Sequence, residues 1–113
     1  MSKLDDIVAK YKEENAKLGL GINNDLLEMV TRKMGPSIYD NDANRVSGGD
    51  PEEVARVKNN YLVKKLGLKD SKELDEAITE VMEKIGKSNP NKYRALVYAM
   101  LCEKFGKQSV YKG

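Results

Sequence analysis

The side chains best suited to chemistry gather between residues 36 and 49, a run rich in Gly, Ser, Asn and Asp. Asp40, Asp42 and Asn44 alternate like the first, third and fifth ligands of a calcium loop, where oxygen atoms wrap a hard cation. The frame then breaks. The sixth position, which needs glycine for a sharp turn, is Arg45, and the twelfth, where a bidentate Glu closes the shell, is Pro51. A solvated polar loop is therefore expected, and no metal ligands are assigned. Asp40 with Asp42, or Tyr39 with Arg45, would be the acid–base pairs of a catalytic site, but such work needs titratable groups held in a cleft, and any loop of this composition offers similar pairs. Gly48-Gly49 sets backbone amides ahead of a helix start, the arrangement that holds phosphate elsewhere. Here the Asp50 carboxylate occupies that helix end, Glu52 and Glu53 repel an anion, and no P-loop Lys-Ser/Thr pair follows.

Histidine is absent, which removes Ser-His-Asp and Cys-His catalysis and every histidine-ligated metal. The lone Cys102 has no disulfide partner in the chain, and its angular position on the last long helix places it at the boundary of the apolar stripe, as inert packing. No catalytic residue and no cofactor is assigned.

Charge is nearly balanced, 20 basic against 18 acidic residues, but unevenly placed. Residues 68–86 carry three lysines against six acids, whereas 87–113 carry six basic residues against Glu103 alone. Internal complementarity is one account, with an acidic helix lying between two basic ones. The other is a basic face made by Arg56, Lys58, Lys64 and Lys65 together with Lys92, Arg94, Lys107 and Lys112, with Tyr93 and Tyr111 near for base stacking. No helix-turn-helix or RNA-binding signature accompanies it, so a nucleic-acid partner is the second reading.

These side chains must be positioned by helices. A tripeptide of lysine, an apolar residue and glycine recurs at Lys17-Leu18-Gly19, Lys33-Met34-Gly35, Lys65-Leu66-Gly67, Lys84-Ile85-Gly86 and Lys104-Phe105-Gly106. Each reads as a helix stop: glycine takes the left-handed turn that satisfies the last carbonyls, lysine meets the negative end of the dipole, and the apolar residue closes the buried stripe. The matching starts are Ser2, Asn23 with Ile22 and Leu27 as a staple, Asp50-Pro51-Glu52-Glu53, Asp70 with Glu73, and Asn89-Pro90. Five helices follow, over about 3–18, 24–34, 51–66, 71–85 and 90–105, with an irregular loop at 36–49 and a tail at 107–113. The fifth has the densest apolar set and is the expected central helix. At 113 residues the chain should form one compact all-α domain with a radius of gyration of roughly 13 Å.

The run from Arg45 through Asp50-Pro51-Glu52-Glu53-Val54-Ala55-Arg56-Val57, then Lys64-Lys65-Leu66-Gly67-Leu68, and the closing Phe105-Gly106-Lys107 with Ser109 resemble domain-of-unknown-function family 2853. The likeness covers about Lys33 to Val110. It implies a compact all-α domain in a bacterial cytoplasm, and it brings no activity and no catalytic residues.

The charged N-terminus and the lack of any long apolar run point to a cytoplasmic chain without a membrane partner. The leading functional reading is a non-enzymatic interaction or structural module that self-associates as a homodimer, because five amphipathic helices in so short a chain are expected to leave one apolar stripe uncovered. Its candidate surface is Tyr39, Arg45, Tyr98, Val110 and Tyr111, the last two expected to dock on the domain or on a second subunit. A small-ligand binder or enzyme at the 36–49 loop is the third reading.

Overall fold

Capping chemistry accounts for most helix ends in the computed structural model, which describes residues 3–40, 44–46, 50–86, 89 and 92–112 apart from the Ser37 and Lys112 side chains. Helix α1 spans Lys3–Leu18 and closes with Leu20 N–H donating to Asn15 O at 3.1 Å across Gly19. Asn23 then caps α2 (Asn24–Lys33), its Oδ1 accepting from the amides of Asp25 and Leu26. Asp50 caps α3 (Pro51–Arg56) through Glu52 N–H, with Pro51 in the first turn. After α4 (Lys72–Ile85) and α5 (Arg94–Lys104), Gly106 at φ 66° turns the chain into a short α6 (Ser109–Lys112). All five glycines of the repeated tripeptide have positive φ, the conformation that ends a helix without a Cβ penalty.

The fold is all-α, and its Cα radius of gyration is 13.1 Å. Helix α5 lies at the centre, in contact with α1, α2 and α4. From Ala95 to Cys102 every residue but Tyr98 is buried. The apolar stripes of α2 (Leu26, Leu27, Val30) and α4 (Leu74, Ile78, Val81, Met82, Ile85) close on it. The α1–α2 turn is fastened by buried Asn15, whose side chain donates to Ile22 O at 2.7 Å and accepts from Ile22 N–H at 3.0 Å.

Several expectations need correction. The third helix is not α-helical to its end. From Val57 to Val63 it widens into a π-helix, which keeps Val57, Tyr61 and Leu62 on the core side, and Lys64 N–H donates to Asn59 O at 3.2 Å. The wider turn reconciles spacings that 3.6 residues per turn would spread around the helix. Two parts of the 36–49 stretch have regular structure among the described residues. The stretch opens with a 3₁₀ turn at Gly35–Tyr39 that buries Ile38, and its Asn44–Val46 segment pairs antiparallel with Lys92–Arg94, through Val46 N–H to Lys92 O at 2.8 Å and Arg94 N–H to Asn44 O at 2.7 Å.

That pairing holds Tyr93 extended, so helical geometry begins at Arg94 and not at the expected Asn89-Pro90. Ser71, not Asp70, is the cap position of α4, without a side-chain cap bond, and the Asp70 carboxylate pairs instead with Lys58 at 3.3 Å. Cys102 is fully buried and not at a boundary, because Tyr61 of the π segment and Tyr111 of α6 lie beside it. Ser2, Asp42, Gly48, Gly49 and Pro90 lie outside the described residues.

Candidate functional site

Three tyrosines that the sequence scatters meet at one corner. Tyr61, from the π segment, stacks on Tyr98 of α5 with ring centroids 3.8 Å apart and planes within 7°. Its hydroxyl donates to Tyr98 O at 2.9 Å and accepts from the Tyr111 hydroxyl at 2.8 Å. Tyr61 and Tyr111 are buried, and desolvation dominates their acidity: the Tyr111 phenol is pushed up to about 12 and that of Tyr61 higher still. Burial likewise raises the Cys102 thiol, so it is a protonated core group and a poor nucleophile.

The corner opens as a cleft of about 120 Å³ between the end of α2 and the end of the π segment. Val30, Met34, Tyr98 and Tyr111 line it, with Lys33 and Lys65 at its rim. Both lysines are exposed. Lys65 lies 5.3 Å from the centre of the Tyr111 ring, and no carboxylate among the described residues lines the cleft.

Behind the cleft, Arg94 joins three segments. Its guanidinium donates to Glu53 Oε1 at 2.6 Å, to Arg45 O at 3.2 Å and to the Tyr98 hydroxyl at 3.0 Å. Burial alone would lower the pKa of Arg94, but the bonds to Tyr98 and Glu53 outweigh it, and the net shift is upward. This network fixes the outer end of the Tyr98 ring while Tyr61 fixes its face.

The larger grooves differ in kind. One of about 410 Å³ between α4 and α5 contains Glu80 paired with Lys104 at 3.1 Å, and Lys84 donating to Leu20 O. Another, of about 540 Å³ beside the α2 N-terminus, is lined by Asp25 and Glu103, the latter accepting from Asn23 N–H at 2.9 Å. Most of these charged groups already hold elements together.

Of the candidate surface residues, Tyr98 and Tyr111 meet at the cleft, and Val110 packs half-buried beside Tyr111 against the core. Arg45 joins them through its carbonyl; its side chain stacks on Tyr93, 5.5 Å from the ring centre, and its Nε is buried without a hydrogen-bond partner among the described residues. Tyr39 is exposed on the 3₁₀ turn under the Lys3 ammonium. Several of the eight basic candidates are already engaged within the chain. Arg56 pairs with Glu52 and Glu53, Lys58 with Asp70 and Asp75, and Arg94 with Glu53. Lys92 is buried, its Nζ donating to Asn89 O, while Lys64 and Lys65 are exposed and Lys107 is half-buried. The Lys112 side chain lies outside the described residues.

Among the calcium-like positions Asp40 is exposed, and Asn44 turns inward to donate to Ile38 O. No cluster of three metal-ligating side chains exists among the described residues. Sequence reasoning missed Lys33 and Met34, which read only as a helix stop, and Glu53, which read only as part of a capping box. Nothing in local spacing signals that they lie beside residues tens of positions away.

The fold and this corner define a compact all-α domain with a small aromatic cleft rimmed by lysine, and no helix among the described residues is long and apolar enough to cross a membrane. The chain belongs to domain-of-unknown-function family 2853, whose model, described as a protein of unknown function, matches residues 3–109. Comparison with curated proteins finds no match.

Proposed function

We propose that this chain is a cytoplasmic, non-enzymatic interaction module whose working surface is the tyrosine cleft. The observation that supports it is the contrast in pairing. The buried polar groups around the cleft are engaged with one another, whereas Lys33 and Lys65 at its rim have no ion-pair partner among the described residues. Groups held in this way preorganise a surface, and unpaired rim charges select what meets it.

A broad apolar dimer face has less to rest on, because Tyr39 is the one large hydrophobic side chain that stands exposed among the described residues. A nucleic-acid surface is weakened by the pairing of Arg56, Lys58 and Arg94 with acids of the same chain. The test is a photo-crosslinking amino acid placed at Met34, with the exposed Glu76 position of α4 as control. A protein adduct at Met34 and not at Glu76, identified by mass spectrometry and rebinding the purified chain, is the expected result. Adducts restricted to nucleic acid, or equal labelling at both positions, would sink the reading.

A further inference from the structure

We propose that the cleft receives an acidic peptide segment of a partner protein, with one aliphatic side chain seated over Val30 and Met34 and flanking carboxylates paired with Lys33 and Lys65; this rests on the cleft being the working surface. Size is the first argument. Small-molecule sites typically run about 300–1,000 Å³, whereas this cleft encloses about 120 Å³, room for one side chain. Its floor is apolar and aromatic, the character of a pocket that takes an anchor residue.

Charge is the second argument. Two exposed ammoniums flank the opening and no acid among the described residues lines it, in a chain where several other cations are already matched by nearby carboxylates. Rim charges of one sign select partners of the other and steer their approach. The lysines are held where they act. Lys33 ends α2, and Lys65 N–H donates to Tyr61 O at 3.1 Å, so the segment carrying Tyr61 also sets the position of its neighbouring cation.

The aromatic rings decide between a peptide and a single-stranded nucleic acid. Base binding on a stacking platform needs an open ring face. Tyr98 stacks on Tyr61 and has the Arg94 guanidinium 5.6 Å from its centre, and Tyr111 is buried with Lys65 5.3 Å from its centre. These contacts already occupy faces of both rings, so neither is a free stacking platform.

The experiment is an NMR titration of the isotope-labelled full chain with the acetylated peptide Glu-Asp-Glu-Leu-Glu-Asp. Parallel titrations use the same peptide with serine in place of leucine and an oligothymidylate of equal charge. Saturable shifts at the amides of Lys33, Met34, Lys65 and Tyr111 are expected. They should weaken about tenfold in the double variant Lys33→Glu/Lys65→Glu and when leucine is replaced, and stay unchanged in Lys17→Glu/Lys72→Glu, which makes the same charge change away from the cleft. No shift with the peptide, stronger shifts with the oligothymidylate, or concentration-dependent shifts of the same amides without any ligand, which would place a second copy in the cleft, would each overturn the proposal. If the peptide fails while Met34 still crosslinks to a protein, the acidic class falls and the interaction module stands; if Met34 crosslinks to no protein, the module falls as well.

Discussion

At the level of single residues, the most consequential side chains are polar groups taken out of water and given partners. Arg94 and Glu53 retain only 19% and 12% of their side-chain exposure, and removing Arg94 leaves Glu53 with Arg56 alone and takes the donor from Arg45 O and the Tyr98 hydroxyl. Arg94→Ala should therefore cost about 2–3 kcal/mol of stability in urea unfolding, and Arg94→Lys should recover only part, because an ammonium cannot serve Glu53, Arg45 O and Tyr98 with one planar fork. The tyrosines predict a pH dependence. Tyr11 and Tyr111 are pushed by burial from 10.0 to about 12, and Tyr61 further. The folded state thus keeps protons that the unfolded chain has lost. Their contribution to stability is complete below pH 10 and declines as pH rises from there toward about 12. In Tyr111→Phe the hydroxyl bond to Tyr61 is lost, at about 1 kcal/mol near neutrality, and the alkaline decline should be shallower than in the parent. An unchanged slope would show that Tyr111 is not one of its sources.

Among the elements, the helix starts and stops were legible because capping is local chemistry: Asn23 and Asp50 need only the amides two or three residues ahead, and a glycine at the stop needs nothing beyond its own φ. The π-helix was not legible. Its cause lies in partners across the core: Val57, Tyr61 and Leu62 must all face inward, while Asn59 and Asn60 remain exposed. Deleting Asn60 tests this. In a regular α-helix the shortened segment sets Val57, Tyr61 and Leu62 at about 0°, 300° and 40°, so it can lose the wide turn and still keep all three inward. The deletion should therefore cost about 1 kcal/mol or less in urea unfolding, with the helical circular dichroism signal retained, whereas Tyr61→Ala should cost about 3–5 kcal/mol. A deletion variant as destabilised as Tyr61→Ala would mean that the wide turn does not serve to align these residues. The α5 start shows the same limit. Asn89-Pro90 is a sound local signal, yet pairing of Lys92–Arg94 with Asn44–Val46 overrides it by satisfying those backbone groups in extended geometry.

For the molecule as a whole, the C-terminal segment is part of the core. Lys107 N–H closes on Cys102 O at 3.0 Å, and the following turn brings Tyr111 onto Tyr61. Removing residues 107–113 should therefore cost about 3–4 kcal/mol, mostly from the buried aromatic, and lower the melting temperature by roughly 10–20 °C; an unchanged melting curve would show that the segment is dispensable. Ion pairs at this scale follow the charge asymmetry of the chain, with acidic α4 meeting Lys58 from one side and Lys104 from the other. The sequence by itself determined the all-α class, the number of long helices, most of their ends and the central place of α5, because helical periodicity, caps and left-handed glycines act over a few residues. Only the tertiary structure decided that Tyr61, Tyr98 and Tyr111 form one corner, that Lys33 and Lys65 flank it, and that the other basic candidates are mostly paired or buried. Such meetings join residues 37 and 50 positions apart, and they are set by how helix faces pack, which no local spacing encodes.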